Sequence, residues 1–162
     1  MAITITGGAT ITGGASIGTG GSPSPSPSYS FQGSNYGYAS TGYTSAERDT
    51  LIQKFSLTSD TNASNIGNMT DARSRGAGQS SSASGYVSGG SSLTSGGNII
   101  DKFSFSSDGN GTDVGDLTLS RNLTAGQSSS ENGYTTGGSP GGTNVIDKFP
   151  FSSDDNATDV GD

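Results

Sequence analysis

The residues best placed to do chemistry lie in one acidic stretch. Asp108-x-Asn110-x-Thr112-Asp113-x-x-Asp116 sets oxygen-bearing side chains at alternate positions, as a calcium loop requires. Asp154, Asn156, Thr158, Asp159 and Asp162 repeat it, while Asn65 and Asn68 replace two of the acids in an earlier copy and lower the charge there. The same residues in a Gly- and Asn-rich setting also make Asx turns, the reading this setting favours. Calcium is the one cofactor the residues suggest. Other chemistry is narrow: with no His and no Cys there is no imidazole base and no thiolate. Paired carboxylates for glycoside cleavage remain formally open. Yet the acids recur with a repeat and sit in turns, as structural turn formers do. We expect no catalytic residue and no enzyme.

Five Asn-x-Ser/Thr triplets, at Asn62, Asn68, Asn110, Asn122 and Asn156, arise freely in a chain this rich in Asn, Ser and Thr. Tyr29, Tyr36, Tyr38 and Tyr43 cluster together. They fit stacking on sugars, but anchoring a first partial repeat is the favoured reading.

What must position these residues is a long internal repeat. Ile52-Gln53-Lys54-Phe55 returns after 48 residues as Ile100-Asp101-Lys102-Phe103, and after 46 more as Ile146-Asp147-Lys148-Phe149. Asp60, Asp108 and Asp154 follow at matching offsets, then Gly67, Gly115 and Gly161. Ala77 to Ser82 returns as Ala125 to Ser130, and Gly37-Tyr38, Gly85-Tyr86 and Gly133-Tyr134 keep step. Such a period marks a repeat architecture, propellers among them. Low apolar content, 27%, with 28 Gly in 162 residues resembles disorder. The phased Phe and Gly argue for order instead.

Three zones follow. Residues 1–21 are a Gly/Thr-rich segment in which Ile5-Thr6-Gly7-Gly8-Ala9-Thr10 is copied as Ile11-Thr12-Gly13-Gly14-Ala15-Ser16. One isoleucine gains only ~1.5–3 kcal/mol, against ordering costs of ~1–2 kcal/mol per residue. The segment therefore needs a partner surface, and Ile3, Ile5, Ile11 and Ile17 are its candidate assembly and docking residues. Residues 22–30 are a Pro/Ser linker held near polyproline geometry. Residues 31–162 carry the repeat, about 2.6 units. No Asp, Glu, Lys or Arg precedes Glu47. A net charge of −7 argues against a nucleic-acid partner, and no apolar run of ~20 residues is present to insert in a membrane. No secretory signal is evident.

The fold class expected is all-β: an extended N-terminal β segment, the linker, then incomplete four-stranded units. Within one unit the strands are placed near Gly76 to Ser81, Gly85 to Ser88, Ile99 to Phe105 and Asp116 to Ser120. Asp108-Gly109-Asn110-Gly111 supplies the turn before the last. Thr44 and Glu47 fit a capping box, but Ser92 and Ser95 at the next copy do not sustain a helix, and a short turn is expected.

Gly-Tyr-x-x-Gly-Gly followed by Ile-Asp-Lys-Phe, then an Arg before the next Ala-Gly, resembles a kelch repeat over residues 36–162. Tyr86 with Gly89-Gly90 and Tyr134 with Gly137-Gly138 carry the first part, and Phe103 and Phe149 fall at the strand aromatic. The later Trp is missing, with Leu117 or Met69 nearby. The resemblance implies four-stranded propeller blades. A ring takes at least four, so the array is expected to run on beyond Asp162 or to draw blades from several chains. The wording Ile-Asp-Lys-Phe-Pro-Phe, Asn-Ala-Thr-Asp-Val-Gly-Asp and Ala-Gly-Gln-Ser-Ser-Ser is similar to kelch-like arrays in structural proteins of marine tailed bacteriophages. That resemblance implies a virion location and a fibre, appendage or head/tail decoration. It further implies other virion proteins as partners, a homo-oligomer (a trimer among the options) and a host-surface glycan as an outward contact. The alternative is a secreted kelch-type lectin or adhesin.

Overall fold

A computed structural model describes residues 34–43, 48–92, 97–140 and 144–162. Ile3, Ile5, Ile11 and Ile17, the Pro/Ser linker, Tyr29, Ser95 and the Thr44/Glu47 pair lie outside the described residues. Within the described residues the chain is all-β.

Three antiparallel meanders follow one another. Sheet one joins β1 (Tyr36–Ala39), β2 (Leu51–Ser56) and β3 (Ser64–Asn68) in that order. A two-residue pair, β4 (Arg73–Ser74) with β7 (Ser91–Ser92), flanks sheet two, which joins β5 (Ala77–Ser80), β6 (Ser84–Ser88), β8 (Ile99–Ser104) and β9 (Thr112–Asp116). Sheet three joins β10 (Ala125–Ser128), β11 (Asn132–Thr136), β12 (Ile146–Pro150) and β13 (Thr158–Asp159).

Alternation makes each sheet two-faced, because successive strand side chains point to opposite sides. In β8, Ile100 joins a core cluster with Phe149 and Ala157 of sheet three. Phe103 joins another with Ile52 and Met69 of sheet one. No single meander owns a core; each apolar layer lies between two consecutive sheets.

Glycines license two local features. Gly89 (φ 66°) and Gly90 (φ 112°) turn the chain out of β6, and Gly137 (φ 65°) and Gly138 (φ 106°) do so after β11, in left-handed conformations that only glycine adopts cheaply. Sheet one places Thr41 at the first of these positions, with φ 60°. Gly37, Gly85 and Gly133 each lie opposite a phenylalanine on the neighbouring strand, Phe55, Phe103 and Phe149. A Cβ on any of these glycines would overlap the facing ring.

The first three strands expected in the unit match β5, β6 and β8 closely. The fourth does not: it runs Thr112–Asp116, not Asp116 to Ser120. The loop through Asp108 to Gly111 returns the chain so that pairing with β8 begins at Thr112, opposite Lys102. Residues 117–121 then form the connector to sheet three. Leu117 is buried in the core between sheets two and three, and its N–H donates to Asn98 O at 2.7 Å.

Candidate functional site

Among the described residues, the connectors hold the most elaborate polar sites. After β3 the chain passes Thr70 and Arg73, and Arg73 enters sheet two with no exposed surface. Its Nη1 donates to Ile99 O at 2.8 Å and its Nη2 to Val87 O at 3.3 Å. Nη2 also meets Asp101 Oδ2 at 2.6 Å, in a pair whose two side chains are both 0% exposed. Thr70 Oγ1 donates to Asp101 Oδ1 at 2.6 Å, and the Thr70 N–H to Oδ2 at 3.3 Å. Burial pushes the Arg73 guanidinium below its ordinary value, while Asp101, Asp71 and Asp113 pull it back.

The next connector repeats the arrangement. Arg121 donates to Val145 O at 3.0 Å, Thr135 O at 2.9 Å and Asp147 Oδ2 at 2.7 Å, and Thr118 Oγ1 donates to Asp147 at 2.7 Å. Each Arg–Asp–Thr clasp fixes a connector into the sheet that follows it. In sheet one Gln53 stands where Asp101 and Asp147 stand. Read from sequence alone, the Arg ahead of each Ala-Gly carries no evident role. The usable signal was the shared spacing of Thr70 to Thr118 and Arg73 to Arg121, in step with the Asp101 and Asp147 series.

A second set of contacts runs from sheet to sheet. Tyr38 stacks on Phe105 with ring centres 4.8 Å apart and tilts on Phe103 at 5.4 Å. One repeat on, Tyr86 stacks on Phe151 at 4.8 Å and tilts on Phe149 at 5.6 Å. Lys54 Nζ meets Asp108 Oδ1 at 3.0 Å, and Lys102 Nζ meets Asp154 Oδ1 at 2.8 Å. The hydrogen bonds to these carboxylates push both lysines above their ordinary value, with burial opposing. Burial also pushes Tyr86 up, against Lys102 and a hydrogen bond with Ser81. The Asn68 N–H donates to Asn110 Oδ1 at 3.0 Å, and the Asp116 N–H to Asn156 Oδ1 at 2.9 Å. Near the β5 side, Gln79 Nε2 donates to Ser88 Oγ at 2.8 Å and Tyr134 O at 3.0 Å.

The calcium candidates are thereby separated in purpose. Asp108 pairs with Lys54, and Asn110 accepts from sheet one. Asp113 accepts the Gly115 N–H at 3.1 Å, and Thr112 Oγ1 donates to Lys102 O at 3.5 Å. Thr112, Asp113 and Asp116 belong to one strand, where neighbours face opposite ways. Among the described residues no group of three or more acidic side chains converges on a metal position.

Of the clustered tyrosines, Tyr38 anchors sheet one on sheet two. Tyr36 is half exposed, with Lys54 Nζ 4.7 Å from its ring centre, and Tyr43 is largely exposed under Arg48. Tyr36, Tyr38, Gly78, Gln79, Tyr86 and Ser128 lie on a cavity of about 300 Å³ beside β1.

Fold and site together define an all-β repeat protein of stacked antiparallel meanders, tied by buried connector clasps. No protein-family model matches the chain, and no curated protein matches it.

Proposed function

We propose that this chain is a non-enzymatic structural protein of a bacteriophage virion, serving as a fibre, appendage or head/tail decoration. Its leader docks into the particle or joins identical leaders, the Pro/Ser segment spaces it, and the kelch-like array projects outward. The observation that carries this reading is the use made of the repeat's charged side chains. Asp101, Asp147, Asp108, Asp154, Arg73, Arg121, Lys54 and Lys102 all make contacts that build the stack. The phage resemblance of the repeat wording supplies the particle.

The test is to delete residues 2–21 in the source phage and analyse purified particles by mass spectrometry. The intact chain should co-purify with particles, and the deletion variant should be absent from them although its repeat region folds. Normal incorporation of the variant refutes the docking role; absence of the intact chain from particles refutes the virion assignment.

A secreted lectin or adhesin is the second reading, favoured by the cavity beside β1, where Tyr36 and Tyr38 meet the polar groups of Gln79 and Ser128. Aromatic faces next to hydrogen-bonding groups suit a sugar ring. Glycan-array binding abolished by Tyr36→Ala, with no chain in particles, would select it.

A further inference from the structure

We propose that sheet three carries a docking face for a second copy of this chain, which seats the outer face of its sheet one there, head to tail. This goes beyond the virion reading and does not depend on it.

Two internal interfaces share one set of aromatic, lysine–aspartate and turn contacts. The second adds bonds from Gln79 and Ser80 of β5 to sheet three, a strand for which three-stranded sheet one has no described counterpart. Each sheet has a forward face, bearing the Tyr of Gly-Tyr and the Ile and Lys of Ile-x-Lys-Phe. Its backward face bears the Phe of that motif, a second large apolar residue two positions on, and the Asp and Asn of the following turn. Between sheets one and two, Tyr38 meets Phe103 and Phe105, Lys54 meets Asp108, and the Asn68 N–H meets Asn110. Between sheets two and three, Tyr86 meets Phe149 and Phe151, Lys102 meets Asp154, and the Asp116 N–H meets Asn156. One close backbone approach also recurs: a Cβ on Gly67 would overlap Gly109, and one on Gly115 would press on Asp155.

The forward face of sheet three carries the same set: Tyr134, Ile146, Lys148, Gly161 and the Asp162 N–H. The backward face of sheet one carries its complement: Phe55, Leu57, Asp60, Thr61 and Asn62. Neither Lys148 nor Asp60 has an ion pair among the described residues, whereas every lysine and turn aspartate at the matching internal positions does. Val160 is 47% exposed and Leu57 57% exposed, although Val114 and Phe151, their counterparts one and two units away, pack against a core cluster. Transposing the internal contacts puts Tyr134 on the second copy's Phe55 and Leu57, Lys148 on its Asp60, and the Asp162 N–H on its Asn62. Leu57 replaces a Phe, which keeps the apolar contact but reduces the ring stacking.

Two different faces meet, so the contact is heterologous and yields either a ring or an open chain. Two copies bring six sheets, within the ~4–8 blades of known propellers.

The test uses the chain over residues 1–162. Equal amounts of unlabelled and nitrogen-15-labelled protein are mixed and treated with a zero-length carbodiimide, which joins a lysine to a carboxylate only at ion-pair distance. The Lys54–Asp108 and Lys102–Asp154 links should form within one chain and act as internal controls. A Lys148–Asp60 link should appear in mixed-isotope form, and sedimentation should give a mass rising with concentration. Lys148→Glu and Asp60→Lys, each alone, should weaken association roughly three- to tenfold, since each opposes like charges at an exposed pair. Mixing those two variants should restore it, because both junctions of the alternating assembly are then of opposite sign. Formation of the internal links with no Lys148–Asp60 link and a monomer mass throughout overturns the proposal. So does a variant mixture that associates no better than either variant alone.

Discussion

Arg73→Met is the most exacting test of the connector clasp. The substitution keeps a long apolar stem but removes both Nη groups, which reach Ile99 O, Val87 O and Asp101 Oδ2 at 2.8, 3.3 and 2.6 Å. Asp101 is then a carboxylate without exposed surface whose remaining donor is Thr70. Breaking one half of a buried pair costs about 3–5 kcal/mol, because the other charge is left unpaired. For a repeat region of this size that lowers the melting temperature by roughly 10–20 °C, read by far-UV circular dichroism. Asp101→Leu alone should cost a similar amount by stranding the guanidinium. The double variant Arg73→Met/Asp101→Leu should recover much of the loss, since no charge is stranded. It should not become neutral, because Ile99 O, which keeps the Gly89 N–H at 3.0 Å, and Val87 O each lose a guanidinium hydrogen bond, at about 0.5–1.5 kcal/mol apiece. The reasoning fails if either single variant costs under about 1 kcal/mol, or if the double loss equals the sum of the singles.

Further outcomes follow from the glycines, the left-handed threonine and the lysine ladder. Gly85→Ala should destabilise by about 1–3 kcal/mol, because its methyl group would occupy the Phe103 ring position. Gly78→Ala, where an added Cβ meets nothing within 4 Å, should be neutral or stabilising by up to about 1 kcal/mol; the pair is compared by denaturant titration. Thr41→Gly should stabilise by about 1 kcal/mol, since a β-branched residue at φ 60° is strained, and an unchanged denaturation midpoint would count against that strain. Lys54, Lys102 and Tyr86 are all pushed upward, so the folded chain holds protons the unfolded chain releases. Their contribution is whole below the ordinary lysine and tyrosine values and is lost as pH rises through the folded ones. The melting temperature should therefore fall above about pH 10, and less steeply in a Lys102→Met/Tyr86→Phe variant.

The repeat was legible because phased Gly, Tyr, Ile and Phe cannot persist in a polar chain without a packing reason. That phase gave the all-β class, three of the four strands in the unit and the turn at Asp108. The fourth strand was misplaced because Leu117 and Leu119 look like strand residues. Leu117 is instead a plug between sheets, while Leu119 is half exposed in the connector. Sequence gives the hydrophobicity of such a residue but not which layer it fills. The clasp was missed for a similar reason. Arg73 and Asp101 are far apart in sequence, and charged residues are read by default as solvated. The acidic stretch reads as a recurring calcium-loop or turn motif within its own unit, whereas its Asp108 and Asn110 serve the neighbouring sheet. Periodic sequences hide this distinction: contacts within a unit and contacts between units recur with the same spacing.

The Gln53 position shows how the charges are distributed along the array. A buried aspartate is tolerable at 101 and 147 because a connector brings an arginine to each. The sequence position that would carry the matching arginine for sheet one is Pro25, in the linker, which offers no cation. An aspartate at 53 would then face that sheet's outer surface without its clasp, at a cost of several kcal/mol if covered. Glutamine keeps the size and hydrogen-bonding capacity and drops the charge. Asp60, on the same outer face, keeps its charge, and its counterparts Asp108 and Asp154 sit half exposed at the rim and pair with lysine. The outer face of sheet one thus loses the acid whose partner must come from its own connector and keeps the acid whose partner comes from an adjoining sheet. That selective retention suits a face used for stacking, and Asp60 equally suits a solvated turn.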